Sequence, residues 1–138
     1  MKRTLIFQIL LLPAAFQIGL AIQAPTDLVS RTGDQSIVLH WDRNAEANLA
    51  GYRVYRSTTG AGGPFSLANA SLLTAPGFCD LTFKVVNGQT NFYYVTAVDT
   101  SSLESLPSTT LSAVPQPFAS DDEFLDYVQV CNFDYFWY

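Results

Sequence analysis

The chain is poor in the side chains that most enzyme chemistry uses. It has one histidine, His40, and two cysteines, Cys79 and Cys131, among 138 residues. A metal site needs several converging ligands, so a lone histidine on the outward set of a strand reads as a surface residue. The serines are plentiful, but His40 is the one candidate base for them, which removes the usual nucleophile-and-base pairing. No metal or cofactor is therefore expected. Cys79 reads as a buried small apolar residue and Cys131 as part of a helix face; export would permit a disulfide, but the two lie in different segments.

Charge is also scarce. Only 14% of residues are charged while 49% are hydrophobic, a balance that excludes a solvated, disordered chain and leaves enough apolar mass for a packed core. Basic residues are the rarer sign, seven Lys and Arg against 12 Asp and Glu. Such a surface repels phosphate backbones, so nucleic acid is not an expected partner.

Residues 1–21 read as a signal peptide rather than as part of the fold. Lys2 and Arg3 form a basic start, residues 4–22 are apolar apart from Gln8, Gln17 and the small residues, and Gly19-Leu20-Ala21 supplies the small residues a signal peptidase reads. Cleavage after Ala24 would put Pro25 behind the cut and is disfavoured. The rival reading is an uncleaved anchor, since the run approaches spanning length; Pro13 and the two glutamines weaken it. Export to the periplasm, cell surface or medium is expected, with membrane contact only if the signal stays attached.

From Ala24 to about Pro117 the pattern is that of short strands parted by turn signals. Expected strands are 25–31, with Leu28 inward; 35–41, with Ile37, Leu39 and Trp41 on one face and Ser36, Val38 and His40 on the other; 51–57, with Tyr52 and Val54 inward and Arg53, Tyr55 and Arg56 near solvent; 65–68; 78–83; 92–99, with Tyr93, Val95 and Ala97 on one face; and 107–114. Trp41 is the largest inward group and is expected to anchor the core. Gly60, Gly62, Gly63 and Pro64 mark a loop and Asn87-Gly88 a turn. Asp80 and Asp99 read as strand-end turn residues. About seven strands without helices is an all-β sandwich of immunoglobulin type.

Trp41, the run Gly51-Tyr52-Arg53-Val54-Tyr55-Arg56-Ser57, the run Tyr93-Tyr94-Val95-Thr96-Ala97-Val98-Asp99 and the entry Glu104-Ser105-Leu106-Pro107-Ser108 together resemble a bacterial fibronectin type III domain over residues 25–115. The resemblance implies a tyrosine three residues after the glycine of the turn before the sixth strand. Counting from Gly88 reaches Asn91, so that tyrosine corner is expected to be absent or replaced by a shorter polar group. Arg31-Thr32-Gly33-Asp34 is not the integrin-binding tripeptide, so it lends nothing to an adhesion role.

Residues 115–119, opening Pro115-Gln116-Pro117, read as a stiff linker, and residues 120–138 as a short amphipathic helix. Ser120 with Glu123 is a capping box, and Asp121 and Asp122 suit the positive end of the helix dipole. Phe124, Val128, Cys131 and Tyr135 form one apolar stripe, which Phe133, Phe136 and Trp137 widen. Asp122-Glu123-Phe124-Leu125-Asp126-Tyr127-Val128-Gln129, followed by Phe133-Asp134-Tyr135-Phe136-Trp137, is similar to the opening helix of glucoamylase-like glycoside hydrolases, a group that includes β-1,2-glucanases. That resemblance implies a stub of a further domain, with Phe124, Val128, Cys131, Tyr135, Phe136 and Trp137 as its docking residues and no catalytic residue in this chain. Folding back on the sandwich and self-association are the other destinations for these rings.

Two functional expectations follow. One is a non-catalytic spacer or interaction module of an exported carbohydrate-active protein, partnered by its own further domain or another protein. The alternative is a small independent sandwich that binds a glycan or a protein through Tyr55, Phe92 and Tyr94, since exposed rings in a strip stack on sugars. A catalytic carboxylate pair needs a cleft, which the convex faces of a sandwich do not supply. Asn69-Ala70-Ser71 matches a glycosylation acceptor, but modification there is not expected.

Overall fold

The computed structural model describes the backbone of residues 21–137 and the side chains as far as Gln129. Seven strands are formed: β1 (Val29–Gly33), β2 (Ser36–His40), β3 (Leu49–Ser57), β4 (Ser66–Leu67), β5 (Gly77–Asp80), β6 (Asn91–Asp99) and β7 (Leu111–Ala113). One helix, α1 (Asp121–Trp137), follows. The strands pair antiparallel into a sheet of order β1-β2-β5 and a second of order β4-β3-β6-β7. The two inner faces meet over Leu28, Ile37, Leu39, Trp41, Tyr52, Val54, Tyr93, Val95 and Ala97, all buried. This is the expected two-layer sandwich.

The inward register follows the alternation of β3 and β6. Tyr52 lies opposite Ala97 and Val54 opposite Val95, so period-two side chains from both strands point at the facing sheet. Trp41, just past β2, meets Tyr52 edge-on, with ring centroids 5.2 Å apart. Gly51 sits at a register shift in β3, at a φ of 156°. A Cβ there would lie 2.4 Å from the Leu73 carbonyl oxygen, so glycine lets the 73 segment pair with Tyr52.

Several expectations about facing are corrected. Arg56 is buried, not near solvent. It continues the inward phase of Tyr52 and Val54, and its guanidinium meets Asp80 across the sandwich, with Nη1 2.7 Å from Oδ2. The outer set of β2 is also covered: Ser36 and Val38 are buried and His40 is half-buried. As the central strand β2 is flanked on both sides, and Tyr127 of α1 lies over Ser36. Cys79, expected inside, is exposed on β5 opposite Val38. The expected strand 78–83 ends at Asp80, because the Asp80 Oδ1 accepts from the Thr82 amide and hydroxyl and turns the chain. The first strand starts four residues later than expected and the last is confined to three residues. In place of a longer last strand, Ser105 and Ser108 donate backbone bonds to Ala97 and Val95.

The tyrosine-corner position holds Asn91, fully buried, whose Nδ2 donates locally to the Gln89 carbonyl at 3.0 Å. Asn69 is buried too. Its Oδ1 accepts from the Val54 amide at 2.7 Å and its Nδ2 donates to the Tyr52 and Ser71 carbonyls. That amide is a structural bridge and is not offered to a glycosylating enzyme.

The proline segment is tied down where it leaves β7. Pro115 is buried, and its carbonyl accepts from the Gly88 amide at 2.8 Å. Glu123 donates its backbone N–H to the Ser120 hydroxyl at 3.2 Å, while the Glu123 carboxylate accepts from the Ala119 amide at 2.6 Å. The capping box is therefore present, with its return bond one residue earlier than the usual pattern.

Candidate functional site

The outer face of the four-stranded sheet gathers the aromatic and charged side chains that the sequence singled out. Because β3 and β6 pair in register at Tyr55 and Tyr94, their rings stand side by side, 4.8 Å apart and 21° from parallel. Phe65, from the loop before β4, adds a third ring 4.7 Å from Tyr94. Phe92 lies on the same face two residues along β6 and is half-buried, opposite Ser57 and Ser112. The structure thus brings Tyr55 and Tyr94 together with Phe65, which was expected to open the strand 65–68 but precedes β4, confined to Ser66–Leu67.

Glu104 closes this face from the segment that returns along β6. Its carboxylate accepts from Arg53, from the Tyr55 hydroxyl at 3.1 and 3.0 Å, and from the Thr96 hydroxyl at 2.7 Å. Partial burial pushes the Glu104 carboxyl upward, but the bonds from Thr96, Tyr55 and Arg53 outweigh it and hold the group below its ordinary value. Burial, followed by the Glu104 hydrogen bond and charge, raises the Tyr55 hydroxyl. Tyr94 is raised by burial and then by the same carboxylate.

Chemically this is a satisfied network. Three donors occupy the carboxylate, and Tyr94 spends ring contact on both Tyr55 and Phe65. A sugar platform needs an open ring face beside free hydrogen-bonding groups; here three donors take the Glu104 carboxylate, and Tyr55, Phe65, Phe92 and Tyr94 are each half-buried. It reads as cross-strand pairing that stiffens the sheet.

The pH dependence follows from the sign of the Glu104 shift. A depressed folded-state value means its stabilisation is fully present above the ordinary 4.5 and is lost as pH falls through the depressed value. Glu46 acts in the same sense, held down first by the backbone N–H of Gln23. The melting temperature is expected to fall on acidification from about pH 6 to pH 3, and less steeply in Glu104→Gln. Parallel slopes for the two proteins in calorimetry would remove Glu104 from the account.

Other chemistry is thin. Asp42 is raised above its ordinary value, first by a hydrogen bond with the Asp27 side chain, then by burial and by the Asp27 charge. Among the described residues, no group of three or more His, Cys, Asp or Glu side chains is placed to hold a metal ion.

On α1, Phe124 is half-exposed and Val128 half-buried. The side chains of Cys131, Tyr135, Phe136 and Trp137 lie outside the described residues, as does the signal segment 1–20. The helix touches the sandwich through a residue the stripe did not include. The Tyr127 hydroxyl lies 3.0 Å from the Ser36 hydroxyl, and Phe118 packs against both Tyr127 and Phe124 at 5.3 and 5.4 Å. Phe124 and Leu125 remain about half-exposed, so the described first half of α1 lies on the surface of the sandwich.

No protein-family model matches the chain. It is 32% identical over 127 residues to an exo-β-1,2-glucooligosaccharide sophorohydrolase of Parabacteroides distasonis, a match covering 92% of this chain and 17% of that protein. A match of this length runs past the sandwich into α1. A poly(3-hydroxybutyrate) depolymerase of Ralstonia pickettii is 40% identical over 96 residues, 69% of this chain and again 17% of the relative. The chain therefore spans about a sixth of each of these relatives. Among solved structures, a β-1,2-glucanase from Parabacteroides distasonis superposes with a TM-score of 0.70 at 31% identity, over 85% of this chain and 16% of the other. An Fn3-like protein from Clostridium thermocellum superposes with a TM-score of 0.54 at 28% identity, over 73% of this chain and 98% of the other. Strand order, core register and these likenesses agree: β1 to β7 form a fibronectin type III sandwich, followed by a helix that extends the likeness to the glucanase.

Proposed function

We propose that the chain is a non-catalytic accessory module, a rigid spacer that positions a neighbouring domain of an exported carbohydrate-active protein. One observation carries this reading. The same module matches about a sixth of two relatives whose named activities differ, a glucooligosaccharide hydrolase and a polyester depolymerase. A segment common to both is a poor source for either chemistry. The longer glucanase-type match makes carbohydrate the favoured context.

The mechanism is mechanical. Buried Pro115, its bond to Gly88, and Phe118 packed beside Gly33 hold the exit of the chain against the sandwich. The Phe124 and Val128 stripe, continued in sequence by Cys131, Tyr135, Phe136 and Trp137, is then presented at a fixed angle to the neighbouring domain or another protein. The glycan-binding alternative draws on Tyr55, Phe92 and Tyr94. It is disfavoured because their face is occupied by its own ring stacking and by the Glu104 network.

The purified chain is expected to release no sugar from β-1,2-gluco-oligosaccharides. Its affinity for immobilised glycans is expected to be unchanged by Tyr55→Ala with Tyr94→Ala. Sugar release that disappears on substitution of a single acid would overturn the accessory reading, and glycan binding lost in the double variant would replace spacer by binding module.

A further inference from the structure

We infer that the sandwich carries an oxyanion site, a cleft between the end of β3 and the connection from β5 to β6, which takes a carboxylate or phosphate group on the Arg56 guanidinium and the Lys84 ammonium. The site lies within the sandwich itself, so it goes beyond the accessory reading and needs no neighbouring domain.

The cleft has a volume of about 340 Å³, near the lower end of the roughly 300–1,000 Å³ range of small-ligand pockets. Three segments close on it. Arg56 and Ser57 end β3, Thr58 and Thr59 begin the loop to β4, and Lys84 comes from the connection between β5 and β6. No Asp or Glu among the described residues lines it, although acids outnumber bases 12 to seven in the chain. Lys84 is the one lysine beyond Lys2, and it makes no ion pair among the described residues.

The buried floor is Arg56, which is 8% exposed. Its Nη1 donates to Asp80 Oδ2 at 2.7 Å and to the Thr82 hydroxyl at 3.0 Å. Those two bonds use both hydrogens of that nitrogen. The Nε and Nη2 donors make no hydrogen bond among the described residues. They form an edge of the guanidinium suited to gripping an oxyanion through two parallel bonds. A buried donor without a partner is costly, and the cleft that Arg56 lines is where a partner can enter. Asp80 balances the Arg56 charge, so Lys84 supplies the surplus that favours an anion there.

The walls are fixed before a ligand arrives. The Ser57 hydroxyl accepts from the Thr59 amide at 3.2 Å, and the Thr59 hydroxyl donates to the Gly63 carbonyl at 3.0 Å. Lys84 is exposed, but the next residue, Val85, is fully buried and its amide donates to the Thr82 carbonyl at 2.9 Å. Thr58 and Ser66 remain exposed at the rim. A preformed wall lowers the ordering cost of binding.

The test titrates the full chain, labelled with nitrogen-15, by NMR with inorganic phosphate and separately with glucuronate. Ionic strength is held constant with chloride, and glucose is the uncharged control. Saturable shifts of the Thr58, Thr59 and Lys84 amides are expected with at least one of the two anions and not with glucose. Saturation by one anion alone assigns phosphate or carboxylate as the source. Lys84→Gln, at an exposed position that leaves the Arg56 and Asp80 pair in place, is expected to weaken binding about tenfold. Ser66→Asp puts a negative charge on the rim and is expected to abolish it. Affinity is also expected to fall as chloride is raised. Shifts that grow without saturating, equal shifts with glucose and glucuronate, or an unchanged affinity in Lys84→Gln would overturn the site. Each of these would leave the accessory reading intact, since that reading stands or falls on sugar release and glycan affinity.

Discussion

Replacing Asp80 with alanine is expected to destabilise the sandwich by about 3–5 kcal/mol, because it leaves a buried guanidinium without its counter-charge. Asp80 closes β5 in one sheet, while Arg56 on β3 and Tyr93 on β6 belong to the other. Its Oδ2 accepts from Arg56 at 2.7 Å and from the Tyr93 hydroxyl at 3.1 Å, and Arg56 also donates to the Thr82 hydroxyl at 3.0 Å. Burial, reinforced by the Asp80 charge and hydrogen bond, raises the Tyr93 hydroxyl well above its ordinary value, so it stays a donor throughout the neutral range. Loss of one partner strands the others away from water. The pair itself need not stabilise: replacing both members with apolar residues of similar volume removes the charge and its partner together. The double variant Arg56→Met with Asp80→Leu is accordingly expected to be more stable than Asp80→Ala in urea unfolding. A single variant that lost less than about 1 kcal/mol would show that the contact is solvated in solution.

The second large effect is expected at Trp41. Trp41→Ala should cost about 3–5 kcal/mol, the range for emptying a buried aromatic site. The ring is 2% exposed, sits where the β2 face turns into the core, and supports Tyr52 edge-on. Tyr52→Phe separates packing from polarity. It keeps the ring contact and removes only the hydroxyl that accepts the Asn44 amide at 2.8 Å, which is expected to cost about 1 kcal/mol. Near-equal losses in the two variants, measured by urea unfolding, would mean that the hydroxyl rather than the indole holds this corner together.

These two sites show what the sequence could and could not disclose. Trp41 was legible because it falls in phase with Ile37 and Leu39, and period-two spacing carries burial directly. Tyr93, Val95 and Ala97 were legible for the same reason, and the Tyr55 and Tyr94 pairing was half-visible in the outward phases of their strands. Arg56 lies in the buried phase as well, but its charge argued for solvent. Its partner Asp80 lies 24 residues away on the other sheet, a separation that no local pattern reports. Val85 and Ile22 belong to irregular segments, where burial depends on how a loop closes over the core. Phe65 joined the aromatic cluster through loop geometry alone. Tyr127 was hidden by helical phase: the apolar stripe pointed to Phe124 and Val128, whereas the polar hydroxyl of Tyr127 found Ser36. Cys79 failed in the opposite direction, because its neighbour Phe78 is the residue of that short strand that packs against the core.

Calorimetry of the chain from Ile22 to Pro117, set against the chain from Ile22 to Tyr138, tests most directly whether the fibronectin type III sandwich is a self-sufficient module and α1 an appendage. The described side chains of α1 meet the sandwich at Tyr127, beside Ser36 and Gly33, and through the packing about Phe118. The shorter chain is therefore expected to unfold in one cooperative transition, within about 8 °C of the longer one. A shorter chain that shows no cooperative transition, while the longer one does, would contradict this and make the helix part of the core.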